Sequence, residues 1–338
     1  MVIKNYLSWN WTNAFLVFIC SIPAVYVAIV TNLAAGLGLL IGLIPAAVMT
    51  LPAKRKKRVS ILILGIAIGL SVFIGSALKV YFGVIGATLA LGLFAYLSTV
   101  FAASKKGNPA IMFFIIPVVG IGLSITTIDA GISMMINMMS GAALAFVVSL
   151  FFPAREPVEK TAKGAPNKAA FKNFAPYYTT AIMVATVIGF YLDHTGWIVG
   201  SVGLVMRPLR DMQEMRSIFR VISVFIGVTL VYFVMISGAS DIALVGTAVL
   251  MLVLASGLHE SKIYIMPLFI TYIVFTFMLV ADGQRHATHW WLLSERLLWV
   301  ASGVVIAYIF GLFDMGCFRC SDCLYFWSVT TESLSKES

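Results

Sequence analysis

Charge is what this chain has least of. Aspartate and glutamate together number 14 and lysine and arginine 23 in 338 residues, so charged side chains make up 11%. So thin a polar covering cannot hold a chain of this size in solution, which excludes a soluble globular domain. Cysteine and histidine are scarce too, at four each. Three of the cysteines fall in the tail Cys317-Phe-Arg-Cys320-Ser-Asp-Cys323. Three thiolates fall short of the four ligands of a structural zinc site, so no metal and no cofactor is expected. The chain also lacks a Walker A loop, an H-E-x-x-H pair and a G-x-S-x-G elbow. These absences exclude an ATP-driven pump and a recognisable hydrolase, and the expectation is that the protein is not an enzyme.

What remains is apolar. Hydrophobic residues make up 61% and the mean hydropathy is +1.00. Runs long enough to cross a bilayer recur along nearly the whole length. Twelve spans are predicted, at about 14–30, 33–51, 58–78, 80–103, 109–126, 130–152, 173–192, 196–207, 216–237, 240–257, 262–281 and 290–313. The eighth, twelve residues from Gly196 to Arg207, covers roughly 18 Å of a hydrocarbon core about 30 Å thick. It must be a half-helix, a re-entrant segment or a helix sheltered inside the bundle.

The basic residues give the expected orientation. With a cytoplasmic N-terminus, twenty of the 23 lysines and arginines lie on the inner side, leaving Lys79, Arg285 and Arg296 outside. The net charge of +9 is thus a signal of topology, and no nucleic-acid partner is expected. The first span is expected to be retained, since another follows it at once.

Part of the chain repeats at an offset of 162 residues. It maps Arg58 onto Arg220, Val59 onto Val221, Gly65 onto Gly227, Gly141 onto Gly303, Ala145 onto Ala307 and Leu150-Phe151 onto Leu312-Phe313. An even number of spans per unit gives parallel repeats. The expected fold is an all-α polytopic membrane protein of about twelve transmembrane helices in two parallel six-helix repeats. The boundaries are 1–152 for the first repeat, 153–172 for a cytoplasmic linker, 173–316 for the second repeat and 317–338 for a cytoplasmic tail. The linker, rich in proline and charge, is too short for a core of its own.

Charged residues within spans mark candidate sites. Arg216 and Arg220 are one helical turn apart and share a face. Arg207 and Arg210 close the short segment just before them, and Trp197 lies within it. Guanidinium groups beside a broken helix suit a carboxylate or another anion, and an indole face suits an aromatic body. Topological anchoring is the plainer reading of these arginines. It accounts for the upstream copy, Arg58, which ends the run Lys54-Arg-Lys-Lys-Arg58. A second cluster holds Asp282, Arg285, His286, His289, Glu295 and Arg296, with Trp290 and Trp291 between them. An arginine inside a span needs a partner, and Glu295, Asp282 or Asp129 could supply it. Asp282, His286, His289, Glu295 and Arg296 are the candidates for gating or proton coupling, against the alternative of an interfacial loop with belt tryptophans. The offset maps Asn137 onto Trp299, and a lone amide there reads as interhelical glue.

Trp197, then Arg216-x-x-x-Arg220 opening a helix with Gly227 downstream, then Arg296 seven residues before Gly303 and eleven before Ala307, resembles the fusaric acid resistance (FUSC) and aromatic acid exporter superfamily. The resemblance covers the second half, and the first only through the repeat. It implies a bacterial inner-membrane exporter of aromatic carboxylates and other small organic anions, with a periplasmic membrane-fusion adaptor. This chain would be a short form without the large cytoplasmic domain of longer exporters, and it carries Ser223-Val224 where the family commonly shows Gly-Thr. The expected function is proton-coupled organic-anion export in a multi-pass protein of the lipid bilayer. Both termini would be cytoplasmic, and self-association into a homo-oligomer is allowed. A passive anion channel and a non-transporting scaffold or assembly subunit are the alternatives.

Overall fold

Uncapped helix ends are costly in a bilayer, and four of the helices here begin on side chains that satisfy them. Asn10, Asn32, Thr127 and Ser240 each accept a first-turn backbone N–H. The computed structural model describes residues 8–49, 51–52, 54–104, 109–153, 168–208, 210–259, 261, 265–281 and 290–314. Among these residues the regular structure is helical throughout. In the first half the helices are α1 (Trp11–Val30), α2 (Leu33–Gly42), α3 (Ile44–Val48), α4 (Val59–Ala77), α5 (Gly83–Ala103), α6 (Pro109–Gly122) and α7 (Ile128–Phe151). The second half holds α8 (Lys168–Tyr191), α9 (Thr195–Val205), α10 (Arg210–Ile236), α11 (Asp241–Leu258), α12 (Met266–Ala281) and α13 (Trp290–Asp314).

Among the described residues, seven helical runs are long and apolar enough to cross a membrane, and Leu33–Val48, Thr195–Val205 and Met266–Val280 are shorter apolar helices. The chain is a multi-pass, all-helical membrane protein. The run from Arg55 to Ala103 is 49 residues long, more than twice what a bilayer needs. It divides at Gly83, which follows a π turn over Leu78–Phe82 and has φ +60°, a conformation glycine adopts at little cost. The predicted span 33–51 is interrupted too. Pro45 in the first turn of α3 follows the end of α2 at Gly42, because its missing N–H cannot continue the preceding helix.

Many large apolar side chains point outward, where a soluble protein would present polar ones. Phe15, Phe18 and Ile22 on α1, Ile85, Leu89 and Leu93 on α5, and Ile218, Ile222 and Phe225 on α10 are exposed. Between helices, backbones nearly touch. A Cβ on Gly75 would overlap the Val119 carbonyl, and one on Gly122 would overlap that of Val72, so α4 and α6 close on reciprocal glycines.

In the first half α4 packs on α6 and α7, α2 on α1 and α7, and α5 on α6. In the second, α10 packs on α12 and α13, α9 on α8 and α13, and α11 on α12. The halves are joined where α5 meets α8, α6 meets α9, α2 meets α12, and α11 meets α1, α2 and α3. The Asn10 N–H donates to the Gly257 carbonyl at 2.8 Å and ties α1 to the end of α11. Helix α9 is walled in by α6, α8, α10 and α13. Ten of its eleven residues are buried, Leu204 alone being half-buried. Its brevity is tolerated because protein, not lipid, surrounds it.

Candidate functional site

The turn between α9 and α10 is held by buried polar side chains. Arg207, 3% exposed, folds back on the end of α9, where its guanidinium donates to the Gly203 carbonyl at 3.2 Å and to that of Met206. It thereby satisfies C-terminal carbonyls that lack intrahelical partners. Gln213 in the first turn of α10 accepts the Arg207 N–H at 3.3 Å and donates to the Ala307 carbonyl of α13 at 3.0 Å. Gly311 makes room for it, since a Cβ there would collide with the Gln213 amide. The side chain of Arg210 lies outside the described residues.

Two turns further along α10, Arg220 reaches the interior. It is half-buried, and its Nη1 donates to Thr271 Oγ1 of α12 at 3.4 Å. Arg220 lines a cavity of about 80 Å³ together with Trp197, Gly196 and Gly200 of α9, Pro117 of α6 and Thr271. Ser124, at the turn after α6, and Leu204 also face it. The walls are apolar apart from Arg220 and the two hydroxyls. A guanidinium in such surroundings attracts an anion far more strongly than one in water. Arg216, one turn earlier and half-buried, is not among the residues of this cavity.

Trp197, 7% exposed, lines the cavity and also touches a polar cluster. Its ring meets Phe275 edge-on at 5.9 Å, and the Arg296 guanidinium lies over it at 5.4 Å, a cation–π contact. Its Nε1 is buried without a hydrogen-bond partner among the described residues. Arg296 Nη1 also stands 3.4 Å from His194 Nδ1, and His194 Nε2 is 2.9 Å from Glu295 Oε1. A guanidinium only donates, so Nδ1 accepts and the ring hydrogen sits on Nε2, facing the carboxylate. Glu295 and Arg296 are therefore linked through His194, which is stacked on Trp299 at 4.9 Å.

Of the candidate residues, Trp197 and Arg220 line one cavity, and Glu295 and Arg296 meet in one cluster beside it. The Arg207 side chain is engaged with the end of α9 instead. Asp282, His286 and His289 lie outside the described residues. His194 was missed. The signal was available: the 162-residue offset maps it onto Asn32, and both stand immediately before a short helix.

Arg58 differs from its expected role as a surface anchor. It is fully buried. Its guanidinium donates to the Pro52, Phe152 and Pro153 carbonyls at 3.2, 2.8 and 2.8 Å, and also to that of Ser149. Arg58 fastens the end of α7. Arg220 occupies the matching position in the other half, yet α10 begins ten residues before it and Gln213 takes the α13 carbonyl instead. Arg220 is left to face the cavity.

The family described as fusaric acid resistance protein-like matches residues 180–310. This segment is similar to that family. The fusaric acid resistance-like segment contains Trp197, Arg216, Arg220, Glu295 and Arg296, whereas Arg58, Pro117 and Ser124 lie before it. The candidate cavity is therefore built from both the family segment and the preceding half. No curated protein and no solved structure matches the chain.

Proposed function

We propose that this chain is an inner-membrane exporter of small organic anions, aromatic carboxylates above all. The observation that carries the reading is Arg220, a guanidinium in the wall of an apolar cavity that it shares with Trp197. Similarity to the fusaric acid resistance-like family supports membrane transport in general, and the cavity supports the sign of the charge. About 80 Å³ holds a few waters, so an aromatic acid is admitted as the cavity widens, when Trp197 swings aside. Arg216 gathers the anion before it reaches Arg220. Arg207 and Arg210 hold the approach, the former by shaping the end of α9. Glu295 and Arg296, with His194 between them, form the gate on the far side, and Asp282, His286 and His289 take part in proton coupling.

The architecture proposed is two parallel six-helix repeats, residues 1–152 and 173–316, joined by a linker at 153–172 and followed by a tail at 317–338. The offset carries α7 onto 290–313, nearly the bounds of α13. Packing supports the pairing: α4 on α7 has its counterpart in α10 on α13, and α2 on α7 in α9 on α13. The contacts between halves exchange likewise, α5–α8 with α11–α1 and α6–α9 with α12–α2. Twelve membrane crossings then leave both termini cytoplasmic, as the distribution of basic residues favours. A periplasmic adaptor and a homo-oligomer complete the proposal on the strength of the resemblance.

The test is benzoate flux through the purified protein in liposomes, with and without an imposed pH gradient. Uphill flux driven by the gradient supports coupled export. Flux that only follows membrane potential indicates a channel, and no flux by the purified protein contradicts transport.

A further inference from the structure

The Arg220 cavity has a neighbour. Ile121, Ser124 and Met278 line it and also line a second cavity of about 440 Å³ among α2, α6, α7 and α12. Asn32, Thr126, Ser133 and Asn137 supply its polar wall, and none of the described residues lining it is charged.

The hydroxyls here behave unlike most in this chain. Ser71, Thr186 and Thr276 each return their proton to a carbonyl one turn back, at 2.7, 2.7 and 2.8 Å. Ser124 and Ser133 make no such bond among the described residues, and the Asn137 amide bonds none of them either. Asn32 accepts the Ala35 N–H through Oδ1 at 2.7 Å, which leaves its NH₂ to donate. Ser124 Oγ accepts the Gly196 N–H at 2.9 Å, so its proton points to another acceptor. Asn137 lies against Gly38, where a Cβ would stand 3.1 Å from its Nδ2. A carboxamide without protein partners inside a membrane costs several kcal/mol if dry. The cavity must be hydrated, and it has room for on the order of ten waters.

We propose that this second cavity is a hydrated anion-transit site, a second station to which the anion passes from Arg220. Ser124 hands it over, and Met278 stands at the junction. The inference rests on the reading of the Arg220 cavity as an anion site. Its ligand class is a small monoanion with hydrogen-bond-accepting oxygens, held by the O–H of Ser124, Ser133 and Thr126 and the N–H of Asn32 and Asn137. A site made of neutral donors binds such an ion weakly, and a conducting path needs a station it can leave.

The test is thiol accessibility. In a chain carrying Cys20→Ala, Cys317→Ser, Cys320→Ser and Cys323→Ser, Asn137→Cys and, separately, Ser133→Cys are exposed in membrane vesicles to two methanethiosulfonates. One reagent is the anionic sulfonatoethyl compound and the other the cationic trimethylammonium compound. Both cysteines are expected to react. The anionic reagent should be favoured by about fivefold or more over its ratio on a free thiol, and Arg220→Gln should remove that preference. Failure of both cysteines to react, or a preference indifferent to Arg220→Gln, overturns the transit site. If Arg220→Gln abolishes benzoate flux while both cysteines stay unlabelled, the transport reading stands and the second station falls. If the cysteines label with the anionic preference while Arg220→Gln leaves flux intact, the station stands and the role given to Arg220 falls.

Discussion

The Arg296 guanidinium lies over the indole of Trp197, 5.4 Å from the ring centroid, and Trp197 also lines the cavity of Arg220. One aromatic ring thus belongs to the surroundings of both cations.

The contact predicts energetic coupling between the two side chains. In a double-mutant cycle, Arg296→Gln and Trp197→Leu are expected to show a coupling of about 0.5–2 kcal/mol. Thermal unfolding in detergent measures it. Strict additivity would mean that the guanidinium does not hold the ring.

His194 is expected to act through its two nitrogens and not through its bulk. His194→Phe keeps a ring against Trp299 but removes the Nε2–H donor of Glu295, at a cost of about 1–3 kcal/mol. Removing the carboxylate as well, by Glu295→Leu in the same chain, should restore part of that loss. Melting temperatures of the wild type, the single variant and the double variant decide it.

Arg58 predicts a stability effect with no effect on transport chemistry. Arg58→Ala leaves the carbonyls at the end of α7 without their donor and should destabilise the protein by about 2–4 kcal/mol. Arg58→Lys is expected to recover little, because a single ammonium group cannot span the carbonyls that the guanidinium fork reaches. Protein surviving in the membrane should retain the wild-type KM for benzoate, and a raised KM would place Arg58 in the substrate path.

The α4–α6 contact predicts intolerance of any side chain at its centre. Gly122→Val sets branched carbons against the Val72 carbonyl and should lower the yield of folded protein severely. Gly246→Val, at a position where a Cβ would meet nothing within 4 Å, should be accepted with little loss. Monodispersity in detergent distinguishes the two.

The helices were legible because hydropathy reports burial in lipid or protein directly. The shortness of α9 was enough to expect shelter, and ten of its eleven residues are indeed buried. The break between α2 and α3 was less legible: an apolar run looks continuous in composition, and Pro45 alone does not tell a kink from a new start. Arg58 misled because a basic residue at a helix mouth has one sequence signature, whether it meets headgroups or folds onto carbonyls. His194 was hard to find because its partners, Glu295 and Arg296, lie 101 and 102 residues away, and only the offset onto Asn32 marked it. Trp197 and Arg220 were legible as a pair because the aromatic segment and the arginine are close in sequence and unusual for their surroundings.

Benzoate flux through Arg220→Gln and Arg216→Gln, reconstituted side by side with the wild type, tests the central claim most directly. Loss of the charge facing the cavity should lower flux by about tenfold or more. The same change at Arg216, which does not line the cavity, should lower it much less. Wild-type flux through correctly inserted Arg220→Gln would contradict the account.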